Sequence, residues 1–453
     1  MRRVVKVSRI RIVMTIIVVI FVTLLTGCTG KEPNEIAYVV ALGIDSTDDD
    51  NYKITIQYAN TTQISGGASE SGGKAGSEIV DNVTIEAPNI YAGVGLANNI
   101  VSKSFSMSHA KLIVFSKEVA EKGVKDMIET LVRSEEIRPD VFIAVANTTA
   151  NDYLTSVNPE MEVNPAQYYQ LIYQKNQLVG IPDGQLREFF TGLYTDNYDS
   201  ILPIAGVIEG SGGNSQNDDK GQSKDSQNEG SEGSSESLDS FESKSSNENE
   251  KEKDAEKNTS KYEYDIKNYV GGETAIEKKN KAEAIGAAVF EKDKMVGELG
   301  EVETEICKML KGDYTYSYLT YYNNDTPDIP ITVKTTQQKK PKYKIDTDKK
   351  TVDIELYIES DLYSLPADYN VENKIEDFER NVANYTSSTC TEFINNFTKK
   401  YNSDILKLNE KVKYKFLTNN QYNWFKKNVG WSEYKFSVCT NFKVRRTGLI
   451  VRK

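Results

Sequence analysis

The residues best placed to do chemistry at a defined spacing come early, where Leu25-Thr26-Gly27-Cys28 closes an apolar run at 12–25. Small residues before the cysteine let the peptide enter a protease cleft in extended form. The Cys28 thiol is the only nucleophile there that can take a diacylglyceryl group, so cleavage would leave Cys28 as a lipidated N-terminus. The preceding residues fit this reading, since Arg2, Arg3, Lys6, Arg9 and Arg11 give the positive start of a secretory signal. An apolar run of 14 residues is shorter than the roughly 20 needed to span a bilayer as a permanent helix. Acyl chains at Cys28 would hold the mature chain firmly, each buried methylene contributing about 0.8 kcal/mol.

Other reactive residue types form no constellation. His109 is the only histidine, so a nucleophile-histidine system would have to recruit it alone, and no G-x-S-x-G elbow accompanies it. It reads as a structural residue at a strand start. Asp45, Asp48, Asp49 and Asp50 crowd one turn, but no 12-residue calcium loop follows, so they read as a solvated hairpin tip. Cys307, Cys390 and Cys439 remain after Cys28, an odd set with no zinc spacing. The first two fall in helical patterns and the third on the polar face of a strand, which suits structural thiols. Carboxylates between Glu298 and Glu305 lie at the start of a helix and are expected to be solvated. The sequence thus implies no catalytic residue, no cofactor and no metal, with Cys28 as the one site residue, for lipidation.

With 55 basic and 67 acidic residues the chain carries a net charge of −12, which argues against a nucleic-acid partner because phosphate binding needs a basic face. Removing residues 1–27 takes away five positive charges and no negative one, bringing the net charge from −12 to about −17. The picture is an acidic exported body on a lipid tether, and no other segment is expected to cross a membrane.

The elements that would carry this body alternate. Residues 35–45 are a nearly continuous apolar run and 52–58 alternate with period two, together predicting a β-hairpin. After a Gly/Ser loop at 65–77, patterns predict a strand at 79–86, a helix at 90–102, a buried strand ending at Phe115, one helix over 117–133 and a strand at 140–146. Helices at 151–157, 159–174 and 184–193 follow, then a strand at 201–208 whose Pro203 suggests a sheet edge. Residues 209–260 are Gly, Ser, Asn, Asp, Glu and Lys with almost no apolar side chains, so they cannot offset chain entropy and should be disordered. Beyond them come a hairpin at 284–299, a helix at 301–311, strands at 314–322, 329–335, 342–346 and 351–359, and a long amphipathic helix over 371–401 that should pack on its own sheet. A last strand alternates Tyr434, Phe436, Val438, Phe442 and Val444 against polar neighbours. The fold class is α+β, with about three domains, each a mixed or antiparallel sheet flanked by helices. The divisions are a lipoprotein signal peptide at 1–27, an N-terminal α/β domain at 28–208, a disordered acidic Gly/Ser/Asn-rich linker at 209–262, a middle domain at 263–340 and a C-terminal α+β domain at 341–453.

Taken in order, these blocks resemble the C-subunit lipoproteins of Ger-type spore germinant receptors, the Ger(x)C family. The resemblance rests on the lipobox followed by NEIAYVVALGID, on SHAKLIVFSKEVAEKGV with RPDVFIAVA behind it, on GAAVFEKDKMVGELGEVET, and on the closing segment 403–448 with Asp404, Trp424, Trp431 and Arg446-Thr447-Gly448. Two features depart from the family: Thr29-Gly30 replaces the usual Trp-Asp or Trp-Ser pair after the cysteine, and the linker is unusually long. The resemblance implies a non-enzymatic lipoprotein subunit on the outer leaflet of the inner spore membrane, on the exported side of the bacterial cytoplasmic membrane. There it would sit beside integral-membrane A-type and B-type subunits, serving receptor assembly or signalling during germination. An extracellular solute-binding lipoprotein of an importer is the alternative, and would place a solute in a cleft between two similar lobes. A cell-surface hydrolase using the 298–305 carboxylates is a further rival.

Overall fold

A computed structural model of the chain describes residues 13–18, 35–49, 51–59, 80–158, 164–174, 180–208, 262–264, 268–274, 280–323, 326–364, 374–401 and 403–447. Cys28, the Gly/Ser loop and the 209–260 insert lie outside the described residues.

Strand β1 (Ile36–Ser46) and β2 (Tyr52–Ala59) form the expected antiparallel hairpin, and β3 (Val80–Ala87) extends it. Helix α1 (Ile90–Ile100) leads to the short β4 (Ser104–Ser106) beside β1 and then to β5 (Leu112–Ser116). Next come α2 (Lys117–Lys122), α3 (Lys125–Val132), β6 (Phe142–Ala146), α4 (Ala150–Ser156), α5 (Pro165–Gln174), α6 (Leu186–Thr195) and β7 (Ile201–Val207). β1, β5, β6 and β7 run parallel. Every residue of β5 and β6 is buried, because helices cover both faces, as unbroken apolar strands of this kind require. Ile113, Phe115, Ile143 and Val145 pack beneath residues of α1, α2, α3 and α6, while Leu112, Val114, Phe142 and Ala144 meet Tyr153, Leu154, Tyr169 and Tyr173 of α4 and α5.

Two local expectations are corrected here. The single helix foreseen over 117–133 is two, α2 and α3, because Gly123 takes φ +121° and Val124 N–H donates to Asp293 O at 3.0 Å. Pro203 does not mark a sheet edge: β7 lies between β6 and β9 (Ala282–Glu291), and the missing proline N–H falls where the β7–β9 register shifts between Pro203 and Ala205. A bulge is the other place a strand tolerates proline.

β9 and β10 (Lys294–Leu299) form the expected hairpin, yet they complete the first sheet, whose order is β10-β9-β7-β6-β5-β1-β2-β3. The second sheet has the order β13-β14-β12-β11-β8, with β15 parallel to β14. Its strands are β8 (Tyr262–Tyr264), β11 (Tyr316–Asn323), β12 (Thr326–Gln337), β13 (Lys342–Asp346), β14 (Thr351–Ser364) and β15 (Lys435–Arg446). The strands of the expected middle unit are therefore shared between two sheets. The pairing that divides them, Val207 with Ala282, is made across the 208–281 stretch and leaves no local pattern.

Helix α7 (Glu301–Lys311) joins the sheets, and α8 (Ile375–Lys400) covers the second sheet, as its apolar stripe requires. Ser387, Thr391 and Asn395, four residues apart on α8, accept from the N–H groups of Thr440, Val438 and Phe436, two apart on β15. Four helical residues rise about 6 Å and two strand residues about 6.7 Å, so the two periods match and the helix satisfies the strand edge. Helices α9 (Leu408–Val412) and α10 (Asn419–Asn428) fill the stretch between α8 and β15.

Candidate functional site

The ordered sheets begin at Ile36, eight residues beyond Cys28. Of the remaining chemistry-bearing residues, the structure gathers several around α7 at the junction of the two sheets. The helix starts at Gly300, whose N–H donates to Glu303 Oε2 at 3.0 Å, and stops at Gly312 with φ +85°. Ile306, Cys307 and Leu310 sit in one apolar cluster with Ala287, Val289 and Leu299 of the first sheet and Val352 and Ile354 of the second. The helix is thus an internal rod, and the expectation that its carboxylates are all solvated fails at Glu305, which is 6% exposed. Burial pushes the Glu305 carboxyl up to about 7, and its Oε1 has no hydrogen-bond partner among the described residues. Three residues on, burial pulls the Lys308 amine down to about 8, and its Nζ donates to Ile181 O at 2.9 Å. Glu298, by contrast, pairs with Lys117 at 2.8 Å near the surface.

Beside α7 opens a cleft of about 720 Å³, lined by Asp183, Glu188, Lys308, Lys311, Lys334 and Lys407 among others. Both charge signs face it, and Lys407 reaches Glu188 at 3.3 Å. Two further carboxylates hold helix starts. Asp45, expected in a solvated tip, is buried at the end of β1, where it accepts from Ala150 N–H at 2.6 Å and Asn151 N–H at 3.1 Å. Asp404 does the same for α9, accepting from Leu408 and Asn409 N–H at 2.8 Å each, and its burial pushes the carboxyl up to about 7. Asp199, just before β7, accepts from Asp404 N–H at 2.8 Å and from Lys292 N–H at 2.9 Å, tying the β9–β10 turn and the α9 lead-in to the first sheet. Trp431 Nε1–H donates to Asn409 Oδ1 at 3.2 Å, so Asp404 and Trp431, singled out in the closing segment, support one helix start. For Asp45 the sequence signal was a carboxylate at the end of an apolar run, and for Asp404 a carboxylate in a polar stretch just before Ile405 and Leu406; neither becomes informative until a helix N-terminus is placed against it.

None of these groups makes a nucleophile and base pair in line with a third residue. His109 is exposed, with Nδ1 3.0 Å from Ser108 Oγ and its ring edge-on to Tyr38. Cys307 and Cys390 are buried, both thiols pushed up to about 12 by burial, and Cys439 is exposed on β15; all three are unpaired. Such thiols are inert at neutral pH when buried. Among the described residues no group of three or more His, Cys, Asp or Glu is placed to hold a metal ion, and no helix is long and apolar enough to cross a membrane.

With this architecture in view, two family models match the chain: the spore germination protein N-terminal domain over residues 30–207 and the spore germination B3/GerAC-like C-terminal domain over 285–448. The chain belongs to the Ger(x)C family of spore germination proteins. It is similar to spore germination protein KC of Bacillus subtilis (strain 168), 27% identical over 35% of this chain and 42% of that protein. Spore germination protein B3 of the same organism is 26% identical over 30% of this chain and 36% of that one. The matched segments thus span less than half the length of these relatives. Among solved structures, the crystal structure of the GerBC protein is similar over 89% of this chain and 96% of that chain, at 14% identity and a TM-score of 0.47.

Proposed function

We propose that this chain is the lipid-anchored C-type subunit of a spore germinant receptor, needed for assembly or signalling rather than for chemistry. Its place is the outer leaflet of the inner spore membrane, held by acylated Cys28 beside A-type and B-type integral subunits. The observation that carries the reading is the lipobox cysteine standing just ahead of two successive family matches, over 30–207 and 285–448. The geometry supports a scaffold. Lys308 on α7 and the carboxylates of Asp45, Asp199 and Asp404 fasten elements together, and the two unlike sheets share one apolar cluster through α7. In this reading the insert at 209–262 serves as a linker.

Cys28→Ala should release the protein from the membrane fraction or leave it as unprocessed precursor, and should slow germination. A variant that stays processed and membrane-bound would remove the anchor from the account. Co-purification of tagged protein from spore membranes should bring down integral partners. Stoichiometric capture of a small solute by the purified chain, with no such partners, would favour an importer's binding lipoprotein instead.

A further inference from the structure

Tyr414, Leu417 and Trp424 are 79%, 95% and 68% exposed, all within the α9–α10 region. The inward work of that region is done by other rings, with Phe416 4.9 Å from Phe425 and Phe425 6.1 Å from Trp431. The three exposed side chains take no part in that ring cluster. Around them, residues 407–427 carry six lysines and one glutamate, in a chain whose net charge is −12. Exposed Trp, Tyr and Leu in a cationic segment have the composition of a bilayer interface element: rings at head-group depth, an aliphatic chain below, amines on phosphates.

Topology places this segment on the side from which the tether leaves. Register pairs Ala41 with Leu112 and Leu112 with Phe142, and Val145 with Ile204, so the N-terminal ends of β1, β5, β6 and β7 share one edge. Ile36 overshoots that edge at the start of β1. The turn at Asp196 and Asn197 precedes β7 at the same edge, and Asn197 Oδ1 accepts from Tyr422 Oη–H at 3.1 Å and Lys426 Nζ at 3.0 Å, which hangs α10 there. β1 and β7 are three strand spacings apart, about 14 Å, and the residues from Cys28 to Ile36 can reach about 27 Å. Ile100, 70% exposed, ends α1 just before β4, which runs parallel to β1 from its first residue, so it joins the same edge.

We propose that the 413–427 segment docks on the head-group layer of an anionic phospholipid bilayer, with Trp424 and Leu417 inserted and Lys413 and Lys427 on lipid phosphates. Charge selects this occupant, because a cationic patch on an acidic body is drawn to an anionic lipid surface while the rest of the body is repelled. The docking rests on the anchor at Cys28 for its local concentration, and fixes which side of the body faces lipid.

Trp424 supplies the probe, since the only other tryptophan, Trp431, is 7% exposed. The acylated protein is reconstituted on phosphatidylcholine vesicles with brominated acyl chains, with or without phosphatidylglycerol. In a second arm, the chain from residue 29 is held by an N-terminal hexahistidine on nickel-chelating lipid, its fold checked by circular dichroism. The expected result in both arms is quenching that needs phosphatidylglycerol, fades with salt and disappears in Trp424→Phe. Lys413→Gln and Lys427→Gln should each weaken the contact about fivefold. Absence of Trp424 quenching in the nickel-tethered arm overturns the docking. Shielding of Trp424 only in native membranes that hold integral partners also overturns it, assigning the patch to protein. Quenching in the nickel arm together with failure of the native chain to stay on vesicles supports the docking and removes the acyl anchor alone.

Discussion

The first sheet buries consecutive residues, as in β5 and β6, whereas the second buries alternate ones, as in β14 and β15. The difference follows from what covers each sheet. Helices on two faces demand apolar side chains at every position of a central strand, while α8 on one face demands them at every second position. The first sheet is accordingly a three-layer block in which an unpaired charge on β5 or β6 has no water to meet it, the buried Asp45 and Ser116 at strand ends being held by helix N–H groups. The second is a two-layer unit with one wet face, on which Cys439 stands exposed.

Substitution along the strands is the most forceful way to break this contrast. Val114→Asp and Phe115→Asp, neighbours in β5, should each prevent folding, since a buried unpaired charge costs more than the roughly 5–15 kcal/mol of a typical domain can absorb. In β15, Phe436→Asp should do the same, while Cys439→Ser should change stability by no more than about 0.5 kcal/mol. Denaturant melts of the four variants check this, and a soluble, cooperatively folding Val114→Asp protein would refute the three-layer reading. A smaller loss, about 1–3 kcal/mol, is expected from Thr391→Val, which leaves the Val438 N–H without its acceptor on α8.

Acid and base should separate the junction from the rest. Asp404 and Glu305 have their carboxyls pushed up by burial to about 7. A carboxyl raised in the fold binds protons there that the unfolded chain has lost, so stability falls as pH rises from the ordinary carboxylate range to about 7, then levels off. Melting temperature should thus be higher near pH 5 than near pH 8. Glu305→Gln should flatten part of that slope and gain roughly 1–3 kcal/mol at pH 8. An unchanged pH profile in that variant would show that Glu305 is hydrated or paired. The smallest effect should come from deleting residues 210–260, because Val207 and Ala282, on either side, are already paired neighbours. Circular dichroism and the melt should stay within error.

Most individual elements were legible because each carries its own period: the β1–β2 hairpin, the alternation of β15, the apolar stripe of α8 and the buried thiols of Cys307 and Cys390. What the sequence did not show was partnership at a distance. Nothing near 282–299 announces that this hairpin completes a sheet begun at Ile36. The polar stripe Ser387, Thr391 and Asn395 has no sequence signal that sets it apart from a solvated helix face, and its role shows only with β15 set against it. Glu305 and Asp45 were read as solvated because a carboxylate's burial is decided by elements remote in sequence. Pro203 misled for a related reason, since a bulge and an edge leave the same local signature.

Mass spectrometry of the N-terminal peptide from native membrane-extracted protein addresses the placement most directly. Acylated Cys28 as the first residue, with residues 1–27 absent, is the predicted result. A peptide beginning at Met1, or an unmodified Cys28 thiol in membrane-bound material, would contradict it.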